Sequence, residues 1–114
     1  MADCLFCRIV SGELPAERVY EDADVVAFRD INPAAPVHVL VVPRRHVATL
    51  TDAGDGEVDL LGRVLAAAAK VAGQEGLSER GFRSVINTGP DAQQSVQHVH
   101  VHVLGGRSMT WPPG

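Results

Sequence analysis

The period of hydrophobic and polar positions changes several times along the chain, and each change marks an element. Cys4–Ser11 is a short helical run closed by Gly12 and the turn at Pro15. Val19–Tyr20 and Val25–Phe28 are short apolar runs parted by Glu21-Asp22-Ala23-Asp24, which predicts a hairpin. Asp30-Ile31-Asn32-Pro33 interrupts them, because Pro33 removes a backbone donor and Asn32 favours a turn. Val37–Val42 is β-branched and mostly apolar, which predicts a buried strand with His38 embedded in it. Asp52–Asp55 reads as a loop. From Glu57 to about Ala72, Leu61, Leu65, Ala68 and Ala72 recur at helical spacing around four consecutive alanines, with Gly73 and Gly76 as stops. Phe82–Asn87 predicts a strand, Thr88-Gly89-Pro90-Asp91 a loop and Val96–Leu104 a last strand. Hairpin-connected strands with one long helix predict an α+β domain with an antiparallel sheet, residues 1–114 forming a single unit.

Composition narrows the function classes. The chain has 114 residues, enough to fold around its own core without obligatory disulfides or metals. A net charge of −4, with Arg44-Arg45 as its adjacent basic pair, argues against nucleic acid as a partner, although a small phosphate needs only a few local donors. The apolar stretch at Leu60–Ala72 is broken by Gly62, Arg63 and Lys70, so no membrane span is expected. Met1-Ala2-Asp3-Cys4 lacks a basic segment followed by an apolar core, and a cytoplasmic location is the expectation. Cys4 and Cys7 form a C-x-x-C pair, either half of a metal site or two unrelated thiols. His46 and one histidine further along are candidate partners for them.

The densest chemistry lies in the last strand. His98, His100 and His102 stand at every second position, with Val99, Val101 and Val103 between them. In an extended strand this puts three imidazoles on one face and three valines on the other. Histidine is a nucleophile and metal ligand that titrates near neutrality, so the row is the candidate reactive centre. A three-histidine metal site does not suit a strand, since His98 and His102 lie roughly 13 Å apart at strand rise. At least one imidazole is left for other work. The loop Gly89–Ser95 feeds into the row and offers amides, Gln94 and Ser95 for an anion.

His98-Val99-His100-Val101-His102-Val103-Leu104 resembles the signature of the histidine triad (HIT) superfamily. Phe28-Arg29-Asp30-Ile31-Asn32-Pro33, His38 with Val42-Pro43-Arg44-Arg45-His46, Asn87-x-Gly89 and Gln94-Ser95-Val96 resemble its further blocks in the same order. The ending Leu104-Gly105-Gly106-Arg107, Met109 and Trp111-Pro112-Pro113-Gly114 resembles the Hint branch.

This resemblance implies a HIT-like α+β fold, with a five-stranded antiparallel sheet, one long helix and a short N-terminal helix. It also implies a homodimer that continues the sheet, and an exposed tryptophan among prolines is in keeping with a covering partner. The implied activity is purine nucleoside phosphoramidase, acting on adenosine 5′-monophosphoramidate and related adenylates. A dinucleoside polyphosphate hydrolase and a nucleotide-binding interaction module are the alternatives. By the family pattern His100 is the nucleophile, its other ring nitrogen donating to the His98 carbonyl. His102 donates to the phosphate, and His38 supports the row. Asp30 accepts from the ribose with Ile31 beside it; Asn87, Gln93, Gln94 and Ser95 serve the phosphate, and Ser95 passes a proton to the leaving group. Gln93 stands where the Hint pattern has glycine. Bacterial relatives with C-x-x-C imply structural Zn²⁺ on Cys4, Cys7, His46 and His98, a donor set suited to tetrahedral zinc.

Overall fold

The structure, a computed structural model, describes residues 3–114. Met1 and Ala2, part of the amino terminus read above for a leader, lie outside the described residues. Helix α1 (Leu5–Val10) is followed by strands β1 (Arg18–Glu21), β2 (Val25–Arg29) and β3 (Val37–Pro43). A short 3-10 turn (Asp55–Glu57) leads into helix α2 (Val58–Gln74), then β4 (Arg83–Val85) and β5 (Val101–Gly105). The strands form one five-stranded antiparallel sheet in the order β1-β2-β3-β5-β4. This is the α+β architecture expected.

Alternation along the strands divides the core between the two faces of the sheet. Val25, Ala27, Val39, Val41, Val101 and Val103 pack against α2 through Val64, Ala67, Ala68, Val71 and Ala72. Val26, Phe28, Leu40 and Val42 pack against α1 through Phe6 and Ile9. His38 shares the parity of Leu40 in β3, and His102 sits directly opposite Leu40 in the register. The polar chemistry therefore belongs to the α1 face.

Three expectations change. The buried face of α2 is turned relative to the one expected: Ala68 and Ala72 are buried, but Val64, Ala67 and Val71 accompany them, while Leu65 is 50% exposed. The helix also runs through Gly73. It ends at Gly76, where φ is +76° and the Gly76 and Leu77 amides donate to the carbonyls of Gly73 and Ala72, a Schellman ending that only the second glycine can support. Finally, the last strand begins at Val101, not Val96, and β4 is shorter than Phe82–Asn87. The ladder between β3 and β5 starts at Val41 opposite Val101, so residues 96–100 lie outside it although β3 runs on to Pro43. The amide of Val99 donates instead to the carbonyl of Val47 at 2.7 Å.

Candidate functional site

Two neighbouring centres occupy the α1 face. The first is a cavity of about 400 Å³ with an apolar wall from Phe6, Ile9, Leu14, Phe28 and Leu40 and a polar rim from Asp30, Asn32, Ser95, His100 and His102. Ile31 lies on the same rim, 90% exposed. A concave, mainly apolar site with a few converging polar groups suits a small organic ligand.

The protonation pattern of the histidines follows from their partners. His100 Nδ1 lies 2.7 Å from the His98 carbonyl oxygen, which can only accept. In the neutral ring the proton is therefore on Nδ1, which leaves the lone pair to Nε2, on a ring that lines the cavity. Elsewhere the Ala34 amide donates to His38 Nδ1 at 2.9 Å, so His38 is protonated on Nε2. That proton lies 2.8 Å from His102 Nδ1 and 3.4 Å from Asp30 Oδ2. With Nδ1 of His102 accepting, its own proton sits on Nε2. One amide thus sets the tautomers of two rings in series. Burial, with His100 and His38 close by, pushes His102 down to about 4 despite the Asp30 charge. Burial lowers His38 as well, with Asp30 opposing. Both stay neutral near pH 7.

The loop preceding the row is held by Gln94. Its buried side chain donates to the carbonyls of Ala48 (2.8 Å) and Val96 (3.0 Å) and accepts from the Gly89 amide (3.1 Å). Those side-chain atoms are engaged within the protein, so Gln94 shapes the loop. Gln93 is exposed, with a φ of +62° that favours glycine. Asn87 follows β4, half-buried, and neither it nor Gln93 is among the residues lining the cavity. Ser95 is, and is exposed. Sequence reasoning missed Phe6, whose ring meets His100 edge-on at 5.0 Å between centroids; nothing but its neighbourhood to C-x-x-C marked it.

The second centre brings together Cys4, Cys7, His46 and His98 from three separate segments. His98 is fully buried and donates from Nε2 to the Pro43 carbonyl at 2.8 Å, which leaves Nδ1 as a bare acceptor. That atom lies 3.4 Å from Cys4 Sγ, 3.6 Å from Cys7 Sγ and 3.2 Å from His46 Nδ1, and Cys7 Sγ is 3.3 Å from His46 Nδ1. A tetrahedral ion with ordinary Zn–S and Zn–N bonds needs edges of about 3.3–3.7 Å, so the donor set fits a cation of this kind. Burial and the adjacent Cys4 push the Cys7 thiol above its usual range, so Cys7 stays a neutral thiol until a cation displaces its proton. Sharing of one ion by the whole histidine row is excluded, since His98 turns to the sulfurs and His102 to His38.

A family model described as HIT domain matches residues 11–109. The chain belongs to the HIT domain family. A 14 kDa zinc-binding protein of Brassica juncea is 54% identical over 114 residues, which cover 98% of this chain and 100% of the relative. An adenylylsulfatase of Arabidopsis thaliana, HINT1, is 53% identical over 112 residues, 96% of this chain and 76% of the relative. A crystal structure of a HIT family hydrolase from Legionella pneumophila Philadelphia 1 superposes with a TM-score of 0.96 at 52% identity, covering 98% of this chain and 100% of that one. These place this HIT domain in the Hint branch. Among the described residues no helix is long and apolar enough to cross a membrane.

Proposed function

We propose that this HIT domain is a purine nucleoside phosphoramidase that transfers AMP from a P–N bond to His100 and then to water. That the chain is a nucleotide hydrolase of the histidine triad type follows from its family and its relatives. The observation that carries the finer reading is the lone pair left on His100 Nε2 by the 2.7 Å bond from Nδ1 to the His98 carbonyl. A neutral imidazole held in one tautomer is a competent nucleophile at pH 7.

In this reading Nε2 of His100 attacks the α-phosphorus as the P–N bond breaks, and the departing amine takes a proton from the Ser95 hydroxyl. Water then attacks phosphorus as the bond to His100 breaks, its proton returning to the Ser95 oxygen, which frees His100 and releases AMP. His102, protonated on Nε2 and neutral, donates to a phosphate oxygen as charge develops there. His38 acts through His102. Asp30 Oδ1 already accepts from the Asn32 amide at 2.8 Å, which fixes the carboxylate for the ribose hydroxyls beside Ile31. The apolar wall receives the base. Asn87, Gln93 and Gln94 are assigned to the phosphate loop, Gln94 as its internal brace through both its side chain and its amide, which donates to the Gly89 carbonyl at 3.1 Å.

Zn²⁺ on Cys4, Cys7, His46 and His98 completes the proposal. Four protein donors leave no coordination position for substrate, so the ion would supply a fixed tie between segments. A cytoplasmic homodimer built on one domain per chain, residues 1–114, is the working form we assign.

AMP release from adenosine 5′-phosphoramidate, followed in parallel for wild type and His100→Ala, tests this. Turnover lost in the variant while AMP still binds supports it. The same nucleophile serves an adenylyl anhydride, so adenylyl sulfate and a dinucleoside polyphosphate belong in the assay; turnover of either with none of the phosphoramidate would replace the proposed substrate class.

A further inference from the structure

The nucleophile lies just outside the sheet. β5 begins at Val101, so His98 and His100 have no ladder partners, and other contacts must hold them. Four do so. The His98 ring donates to the Pro43 carbonyl, its Nδ1 enters the thiol cluster, the Val99 amide donates to Val47, and Phe6 packs its ring against both histidines. Two of these four contacts depend directly on the Cys/His centre.

Helix α1 is the other link. It has only six residues, far below the length at which a helix persists in water unaided. Cys4 is its N-cap, with Sγ accepting from the Cys7 amide at 3.4 Å, so a cluster thiol defines where the helix starts. From that same helix Leu5, Phe6 and Ile9 wall the cavity. Phe6 is buried, 5.0 Å from the His100 ring, 6.0 Å from His98 and 5.5 Å from Phe28, edge-on to each. One face of α1 thus meets the thiol centre while the other forms the nucleoside pocket.

We propose that the Cys4/Cys7/His46/His98 centre governs the active site: through His98 and Phe6, both positioning residues, its occupancy sets the His100 tautomer and the shape of the nucleoside pocket. Loading ties α1 and the His46 segment to His98, so the His98 carbonyl stays in line with His100 Nδ1–H. Emptying the centre frees α1 to tilt and the carbonyl to swing away, and the proton on His100 is then shared between its two nitrogens. The inference rests on the phosphoramidase reading only in taking AMP as the ligand of the cavity.

The test uses the whole chain, loaded with Zn²⁺ alone or stripped by a chelator, and Phe6→Leu in the loaded form. Calorimetry with AMP and ¹⁵N NMR of the His100 ring nitrogens are read on each. Expected are a single Nδ1-protonated His100 in the loaded wild type and a mixture of tautomers in the stripped protein. AMP affinity should drop about tenfold, the scale at which groups one shell out act on a site. Phe6→Leu should keep its Zn²⁺ and still show part of both changes, which holds the proposal to account even if stripping unfolds the chain. Unchanged AMP affinity and an unchanged His100 signal in the stripped protein would overturn it, as would a loaded Phe6→Leu identical to wild type. Failure of loaded wild type to bind AMP would strike the nucleotide reading instead, while the His100 signal still decides this one.

Discussion

At the scale of single residues, the chemistry depends on which nitrogen of each ring holds a proton. His100 is set by a carbonyl, His38 by an amide and His102 by His38. Because His102 is held near 4 in the folded chain against about 6.5 in an unfolded one, the unfolded state takes up the proton first. The contribution of His102 to stability is therefore full above about pH 6.5, is lost as pH falls from there toward about 4, and changes no further below. Urea midpoints at pH 7.5, 5.5 and 4.5 should fall along that course, and His102→Asn should make the fall shallower, the rest coming from His38 and His98, which burial lowers in the same direction; an equal slope in the variant would refute the assignment. Gln93 carries a second residue-scale cost, since its φ of +62° strains a side chain with a Cβ by about 1 kcal/mol. Gln93→Gly should raise the unfolding free energy by no more than about 0.5 kcal/mol, because glycine also loosens the unfolded chain; a lower urea midpoint would count against it. That Gln93 occupies a position suited to glycine was visible in the sequence by resemblance, but the reason was not, because a backbone dihedral has no letter of its own.

The elements show how far periodicity carries. The helices and strands were legible because the apolar runs and their Gly and Pro stops are local signals. The face of α2 was not, since Leu61/Leu65 and Val64/Ala67 each continue to Ala68 at helical spacing. The sheet chose between them: small side chains at 67, 68, 71 and 72 let the helix lie close on the valines of β2, β3 and β5. Val71→Ala should therefore cost about 2 kcal/mol in unfolding free energy, while Leu65→Ala should stay within about 0.5 kcal/mol of wild type. Equal costs for the two, measured by chemical denaturation, would mean the helix is turned the other way. The last strand illustrates the opposite limit. Alternation of His and Val extends to His98, but strand pairing stops at Val101, since beyond it the Val99 amide donates to the Val47 carbonyl and not to β3.

For the whole molecule, the decisive event is the meeting of segments far apart in sequence. Cys4 and Cys7, His46 and His98 converge to a cluster, and an ion bound there would stabilise the folded chain by mass action, about 4 kcal/mol at a thousandfold excess over its dissociation constant. Removal of Zn²⁺ by a chelator should lower the melting temperature, and Cys4→Ser should abolish that shift; a melting curve indifferent to chelator in wild type would exclude a bound structural ion. Across the sheet, Arg29 at the end of β2 grips Glu75 just past α2 with two bonds of 2.7 and 3.1 Å, tying both layers at one corner. By itself the sequence determined the element order, the α+β class, the family, and which residue types carry chemistry, since these follow from local periodicity and from motifs written in consecutive letters. The tertiary structure alone decided that Gln94 turns inward to brace its loop and that Phe6 stands against the nucleophile, and it brings His98 to the thiols as the resemblance implied. These depend on distances between segments up to ninety-odd positions apart, and only packing on the α1 face of the sheet brings them into contact.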